Sequence, residues 1–432
     1  MTMRTQARTN HLRMLLSWLL AREETDALFR IVRPEAMYDR PIAERHRIVF
    51  YVGHLEAFDW NLLAGPCGLA SMHPEFDRLF AFGIDPVGGG LPTDQPQDWP
   101  RIETVNDYRD GIRQALDHAM GTAPGDDEGS FGQLLHVAIG HRLMHAETLA
   151  YMFHQLPLER KTGAAAARVL QGGPFTPEVV RVPAGRATLG LRRDSGVFGW
   201  DNEFEAHSTD VREFTIDKYK VTNGQFLRFI EDGGYNDRSL WTEAGWEWKA
   251  AQGISHPVFW VRRGDTWAFR SMLDEIPLPL DWPVYASHAE ASAYARWAGK
   301  YLPTEAQWHR AAYGAQSNER EYPWGDEPPA ACDHTTWDPA PVNACALAGS
   351  AFGVEGLLGN GWEWTATEFA PFPGFQPFAS YPGYSAQFFD ARHYVLKGGS
   401  VRTAACMLRR SFRNWFQPHY QYVYAGFRCA SD

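Results

Sequence analysis

The chain has 432 residues, 44% of them hydrophobic and 22% charged, which is enough for two ordinary domains and typical of folded globular chains. Its net charge is -11 and no block of Lys or Arg occurs, so nucleic acid and an anionic membrane surface are excluded as main partners. No run of about 18 apolar residues exists, so no membrane span is expected.

Apolar residues recur at threes and fours through 12–29, 48–63, 108–120 and 131–156, which predicts four helices. Together they predict a four-helix bundle over residues 1–165. The start is basic and leucine-rich, as a secretory leader would be, with Arg4, Arg8, Arg13 and Arg22 around Leu12, Leu16, Leu19 and Leu20. Its apolar run is short, broken by Ser17 and Trp18, and lacks a clear small-residue cleavage site. It therefore reads as the first amphipathic helix. Residues 70–104, rich in proline and glycine, form a long excursion of the kind that carries function.

After Lys161, residues 164–167 and Gly172-Gly173-Pro174 mark a linker. Residues 166–432 then read as an α+β domain built around loops, with strands at 179–183 and 213–216 and helices at 223–231 and 289–299. The aromatic share is 14%, with 17 Trp, a load that pins long loops and also lines pockets for flat or cationic ligands. Cys67, Cys332, Cys345, Cys406 and Cys429 are scattered, odd in number and form no CxxC, so a disulfide framework is not expected and the cytoplasm is the expected compartment.

The sharpest chemical signal is His141-Arg-Leu-Met-His145-Ala-Glu147 in the fourth helix. Residues four apart lie about 40° apart around a helix, so both imidazoles share a face. Glu147 falls about 200° from His145 and suits a supporting role, while His136 and His154 face away. His54, midway along the second helix, is the third candidate. Three histidines with open positions suit a divalent metal carrying water, substrate or O2, and the residue types leave iron and zinc open.

With a mid-helix His and a later HxxxHxE, the first half resembles the DinB-like domain of the ergothioneine and ovothiol sulfoxide synthases. The second half resembles the formylglycine-generating-enzyme type of C-type-lectin-like fold. Its markers are Asp217-Lys-Tyr219, Trp282-Pro283-Val284-Tyr285, Pro303-Thr304-Glu305, Gly359-Asn360-Gly-Trp362-Glu363-Trp364-Thr365, Gly398-Gly399-Ser400 and Gly426-Phe427-Arg428-Cys429. The motif between Asn360 and Thr365 reads as a structural lock, a polar group packed among rings.

The resemblance implies Fe(II) held by His54, His141 and His145, with O2 as co-substrate. It implies that hercynine, the trimethylated betaine of histidine, is bound by Asn414 and Trp415, with Arg413, Phe416 and Phe82 beside it. Tyr381 and Tyr384 match the stretch that carries the family's catalytic tyrosines. The copper-binding cysteines of formylglycine-generating enzymes fall at Thr403 and Leu408, so that chemistry is not expected.

Two departures bear on the second substrate. Phe416 stands where γ-glutamylcysteine-using synthases commonly have Asp, and residues 79–86 hold no tyrosine where the cysteine-using branch has a pair. The pattern is similar to the selenoneine synthases, which join hercynine to a selenosugar. Carbon–selenium bond formation is therefore the first expectation and an ergothioneine-type sulfoxide synthase the second. A non-catalytic lectin-like binding protein and a zinc thiol transferase are the readings from other classes.

Overall fold

A computed structural model describes all residues except 1–2, 82–90, 123–129, 164–171, 173–175, 317, 330–335 and 345–348. The chain divides into two units, Met1–Ala164 and Ala165–Asp432. The first is built on α1 (Met3–Phe29), α2 (Ile48–Leu63), the short α3 (Pro74–Leu79), α4 (Ile102–Thr122) and α5 (Ser130–His154). α1 packs on α5, and α2 packs on both α4 and α5. The four long helices are thus the four expected ones.

α2 is the hub, buried along nearly its whole length. A helix that is apolar on all sides belongs in the middle of a bundle, so the polar His54, Glu56 and Asp59 inside it need partners in the core. The excursion between α2 and α4 is less irregular than expected. Pro74 opens α3, and the His73 ring caps it by accepting from the Phe76 amide at 3.3 Å. Asp94 pins the returning chain, accepting from Arg47 at 3.0 Å, from the Trp99 indole at 2.7 Å and from Arg40.

The second unit has small sheets and short helices. Its elements are β1 (Val179–Val182), β2 (Gly185–Leu189), β3 (His207–Val211), β4 (Phe214–Asp217), α6 (Asn223–Glu231), α7 (Glu243–Gln252), β5 (Trp260–Arg263), β6 (Thr266–Arg270), β7 (Glu275–Pro277), α8 (His288–Trp297), α9 (Glu305–Tyr313), β8 (Gly361–Glu368), β9 (Tyr394–Gly399), β10 (Asn414–Phe416), β11 (Ala425–Gly426) and β12 (Ala430–Ser431). The sheets run β1-β4-β12, β2-β3, β5-β6-β7 and β10-β9-β8-β11. Capping boxes at Thr222/Gln225, Ser287/Glu290 and Thr304/Gln307 start α6, α8 and α9, and Gly299 at φ 66° follows α8.

Glu363 on β8 is the keystone of this unit. Fully buried, it receives Arg428 at 2.6 and 2.9 Å and the Trp308 indole at 2.8 Å, with Lys220 at 3.0 Å. Asn360 brackets Ala340 with two bonds of 2.9 Å, and the Trp364 indole donates to the Ala286 carbonyl at 2.8 Å. These contacts tie loops to sheet where backbone ladders are short. Among the described residues, no helix is long and apolar enough to cross a membrane.

Candidate metal centre

His54 on α2 and His141 and His145, one turn apart on α5, each offer a ligand nitrogen within 4.8 Å of the others. All three are buried, and His136, Glu147 and His154 stand outside the group. His54 Nδ1 lies 2.7 Å from the Phe80 carbonyl oxygen. A carbonyl only accepts, so Nδ1 carries the proton and Nε2 keeps its lone pair. That Nε2 sits 3.2 Å from His145 Nε2. Two nitrogens so spaced, each about 2.1 Å from one ion, subtend about 100° at it, an ordinary angle between neighbouring ligands.

Either a proton of His145 or a cation must stand between these nitrogens. Cationic imidazoles are disfavoured: burial above all, with Arg142 and His46 nearby, holds His54 down to about 4. Burial and the neighbouring charges keep His141 and His145 well below the ordinary histidine value. Three neutral, buried imidazoles that converge suit a divalent transition metal. Stacking fixes the ring planes, with His141 on Phe58 at 3.4 Å and His54 on Phe50 at 4.9 Å between centroids.

Gly53 makes the Phe80 contact possible. A Cβ at this position would lie 2.6 Å from three ring atoms of Phe80, whose side chain is fully buried. The ring therefore lies flat on the bare α2 backbone, and its carbonyl is carried to the imidazole of the next residue. Hydrogen-bonded partners of this kind set the tautomer and orientation of metal-binding histidines.

Arg142, next to His141, turns to an ionic network. It donates to Glu56 at 3.1 Å, Asp59 at 2.8 Å and the Leu55 carbonyl at 2.9 Å. Arg113 of α4 reaches Glu56 at 2.7 Å and Asp26 of α1 at 2.7 and 2.8 Å, and the Trp18 indole of α1 donates to Asp59 at 3.0 Å. All four long helices meet here. Burial raises the Glu56 carboxyl, but Arg142 and Arg113 outweigh it and hold it at about 2, whereas burial wins at Asp59 and lifts it above its usual value.

In the C-terminal unit, Trp415 on β10 stacks on Phe369 at 4.2 Å, with Tyr384 edge-on at 5.3 Å and Phe388 at 5.6 Å. Tyr384 in turn stacks on Trp200 at 4.1 Å and meets Tyr381 at 5.6 Å. The expected Tyr381, Tyr384 and Trp415 thus lie in one aromatic cluster. Asn414 Oδ1 accepts from the Trp415 amide at 2.9 Å, which leaves its NH2 group to other partners. Neighbouring side chains of a strand point to opposite faces, and Phe416 finds a different ring, stacking on Tyr420 at 5.1 Å. Trp415 and Phe416 therefore belong to two patches.

Arg413 precedes this strand and is held by the protein itself. It is almost fully buried, with its guanidinium bonded to Glu305 at 3.0 Å and to the Asn202 and Ala370 carbonyls at 3.3 and 3.0 Å, and it lies over Phe372. With Nε and Nη1 so occupied, Arg413 is tied into the frame behind Trp415. Phe82, the remaining expected contact, lies outside the described residues.

A family model for the sulfatase-modifying factor enzyme 1-like domain matches residues 167–432. A hercynine oxygenase of Mycolicibacterium thermoresistibile is 38% identical over 435 residues, covering 96% of this chain and 94% of that protein. One of Mycobacterium tuberculosis is 37% identical, covering 74% and 76%. Ergothioneine biosynthesis protein 1 of Neurospora crassa is 26% identical, covering 94% of this chain and 56% of that longer protein. The chain belongs to the hercynine oxygenase family.

As a member of the hercynine oxygenases it is an enzyme, and the expectation of a non-catalytic binding protein is set aside. The thiolate copper chemistry of formylglycine-generating enzymes lacks its ligands here: Thr403 Oγ1 accepts from the Ser400 amide at 2.8 Å, and Leu408 is buried. Sequence reasoning missed the Phe80 carbonyl, Gly53, the Arg142 network and the Phe369 platform. The network had a signal, two acids inside a mostly apolar α2.

Proposed function

We propose that this protein is a mononuclear non-heme iron enzyme that uses O2 to join hercynine to a thiol amino acid, cysteine or γ-glutamylcysteine. The observation that carries this reading is the buried His54–His141–His145 cluster, in a chain similar over nearly its whole length to a hercynine oxygenase. Bound Fe(II) would supply O2 activation and a site for the donor's chalcogen. The helical unit would hold the metal, and the C-terminal unit would contact hercynine.

Within that scheme Trp415 offers an indole face to the trimethylammonium group and Asn414 an amide to the carboxylate or ring. Tyr384 keeps its proton, because burial and then the nearby Glu203 and Asp201 push its hydroxyl well above the ordinary value. It and Tyr381 are proposed as the family's catalytic tyrosines, whose hydroxyls donate a proton. Trp415→Ala is expected to weaken hercynine binding about 2- to 30-fold, with iron content unchanged. Trp415→Phe, which keeps an aromatic face, should recover part of the loss. Unchanged anaerobic hercynine titrations in both variants would remove Trp415 from the site.

The names of the relatives favour this sulfur reading over the selenosugar donor that the sequence pattern put first. One observation keeps the second reading in play: Phe416 and Tyr420 are stacked with nearly parallel planes, 4° apart in tilt. They form a platform suited to the apolar face of a sugar and carry no charge to answer a donor's ammonium. Competition under O2 between cysteine, γ-glutamylcysteine and a 1-seleno sugar, with product masses read directly, decides the donor. A sulfoxide of a thiol amino acid as the main product is expected. A selenoether as the main product would move the protein to the selenium branch, and no hercynine adduct from any donor would overturn the reading.

A further inference from the structure

Three consecutive polar residues, Asp201, Asn202 and Glu203, form a short 3-10 turn before β3, and each is 0% exposed. Polar groups are buried at small cost only where partners are built in for them. Glu203 fastens the turn to the C-terminal unit. It accepts from the Trp200 amide at 2.7 Å, from the Ser411 hydroxyl at 2.7 Å and from Arg409 Nε at 2.8 Å. Arg413 adds a bond to the Asn202 carbonyl at 3.3 Å. The turn is thus held from behind, and what it presents forward is the Trp200 ring and the Asp201 carboxyl.

Both meet the same segment. Residues 369–393 join β8 to β9 with one short 3-10 turn, Ala386–Phe388, and neither helix nor strand carries Tyr381 or Tyr384. The Tyr381 amide donates to the Phe378 carbonyl at 3.1 Å and the Tyr384 amide to the Tyr381 carbonyl at 3.2 Å, so the two tyrosines ride on consecutive turns. Trp200 stacks on Tyr384 at 4.1 Å, and Asp201 accepts from the buried Ser385 hydroxyl at 2.6 Å. Adjacent residues of the turn therefore grip adjacent residues of the loop, one by ring stacking and the other by a hydrogen bond. We propose that Trp200 and Asp201 are positioning residues for the reaction, clamping Tyr384 and Ser385 so that the tyrosine hydroxyls keep one place through turnover. This rests on the reading of Tyr381 and Tyr384 as the catalytic tyrosines. A misplacement of about 1 Å costs on the order of 100-fold in rate, and a loop without a backbone ladder needs such a holder.

Hydrogen exchange and turnover of the full, iron-loaded chain test this together. Asp201→Ala and Ser385→Ala each remove one end of the same bond. Amide exchange across residues 381–385 should accelerate about 10-fold in either variant, and the two effects should not add. Ser385→Ala removes a single hydroxyl, so it tests the clamp even if Asp201→Ala unfolds. kcat should fall about 10- to 100-fold, more than the affinity for hercynine, with iron content unchanged. Asp201→Asn, whose amide oxygen still accepts from Ser385, should recover most of both losses. In a chain carrying Tyr381→Phe and Tyr384→Phe, Asp201→Ala should cost little further turnover, because the hydroxyls it positions are gone. Unchanged exchange in both alanine variants would overturn the clamp. Unchanged kcat despite faster exchange, or a full further loss in the phenylalanine background, would overturn its part in the reaction. A wild-type chain that forms no hercynine adduct would overturn the functional reading instead, and the exchange result would still decide the clamp.

Discussion

Arg142→Met is expected to destabilise the helical unit by about 3–5 kcal/mol, the usual cost of removing one partner from a buried ion pair. Methionine fills much the same space, so the loss is electrostatic. Glu56 and Asp59, both essentially inaccessible to solvent, would lose a cation that lies 3.1 and 2.8 Å away. Arg113 remains for Glu56, and the Trp18 indole, a neutral donor, remains for Asp59. Hydrogen exchange of α2 and α5 amides reads this unit without the C-terminal one, and should accelerate about 100- to 4,000-fold. Adding Asp59→Asn should recover a large part, because the uncompensated charge then disappears. An unchanged exchange rate in Arg142→Met would mean that the network does not hold the four helices in register.

The same network shows what the sequence could and could not disclose. α2 was legible to its end residues, because the apolar run starts after Arg45-His46-Arg47 and stops just before Gly65-Pro66. His54, His141 and His145 were legible because the helical period fixes which residues share a face. Contacts across the bundle were not, since Trp18, Asp26, Arg113 and Arg142 come from three other helices and nothing local names their partners. The Phe80 carbonyl carries no side-chain signal at all. Only the glycine opposite it marks the close approach, and one glycine in a helix is weak evidence.

In the C-terminal unit α6 and α8 were readable, α7 was not despite its Thr242 cap, and neither were β8 and β9. Both are buried on two faces, so the alternation that announces a half-buried strand is missing. The partners of Arg413 were illegible for a related reason. Its neighbours in the chain are the ligand candidates, but a short strand sends successive side chains to different surroundings, and the surroundings of Arg413 are Glu305 and two carbonyls.

His54→Ala, His141→Ala and His145→Ala are each expected to lower Fe(II) affinity by at least about 100-fold, beyond the 10- to 100-fold typical of losing a mere supporting partner. Each removes one of three neutral nitrogens that meet within 4.8 Å, and a site with two imidazoles lacks the ligands to compete with water for iron. Anaerobic titration followed by metal analysis reads this without turnover, and adding zinc to the same titration tests whether iron is preferred. Gly53→Ala supplies the graded case. Alanine is the better helix former by about 1 kcal/mol, so any harm must come from the new methyl group pushing Phe80, and with it the carbonyl that orients His54. Iron affinity should fall about 10- to 100-fold while the helix itself is not weakened. Phe80→Leu in the same chain makes room for the methyl group and should restore part of the affinity. Stoichiometric iron in all three histidine variants would show the site to be misassigned. Full affinity in Gly53→Ala would leave the ligands standing and remove the Phe80 carbonyl from the account of how His54 is held.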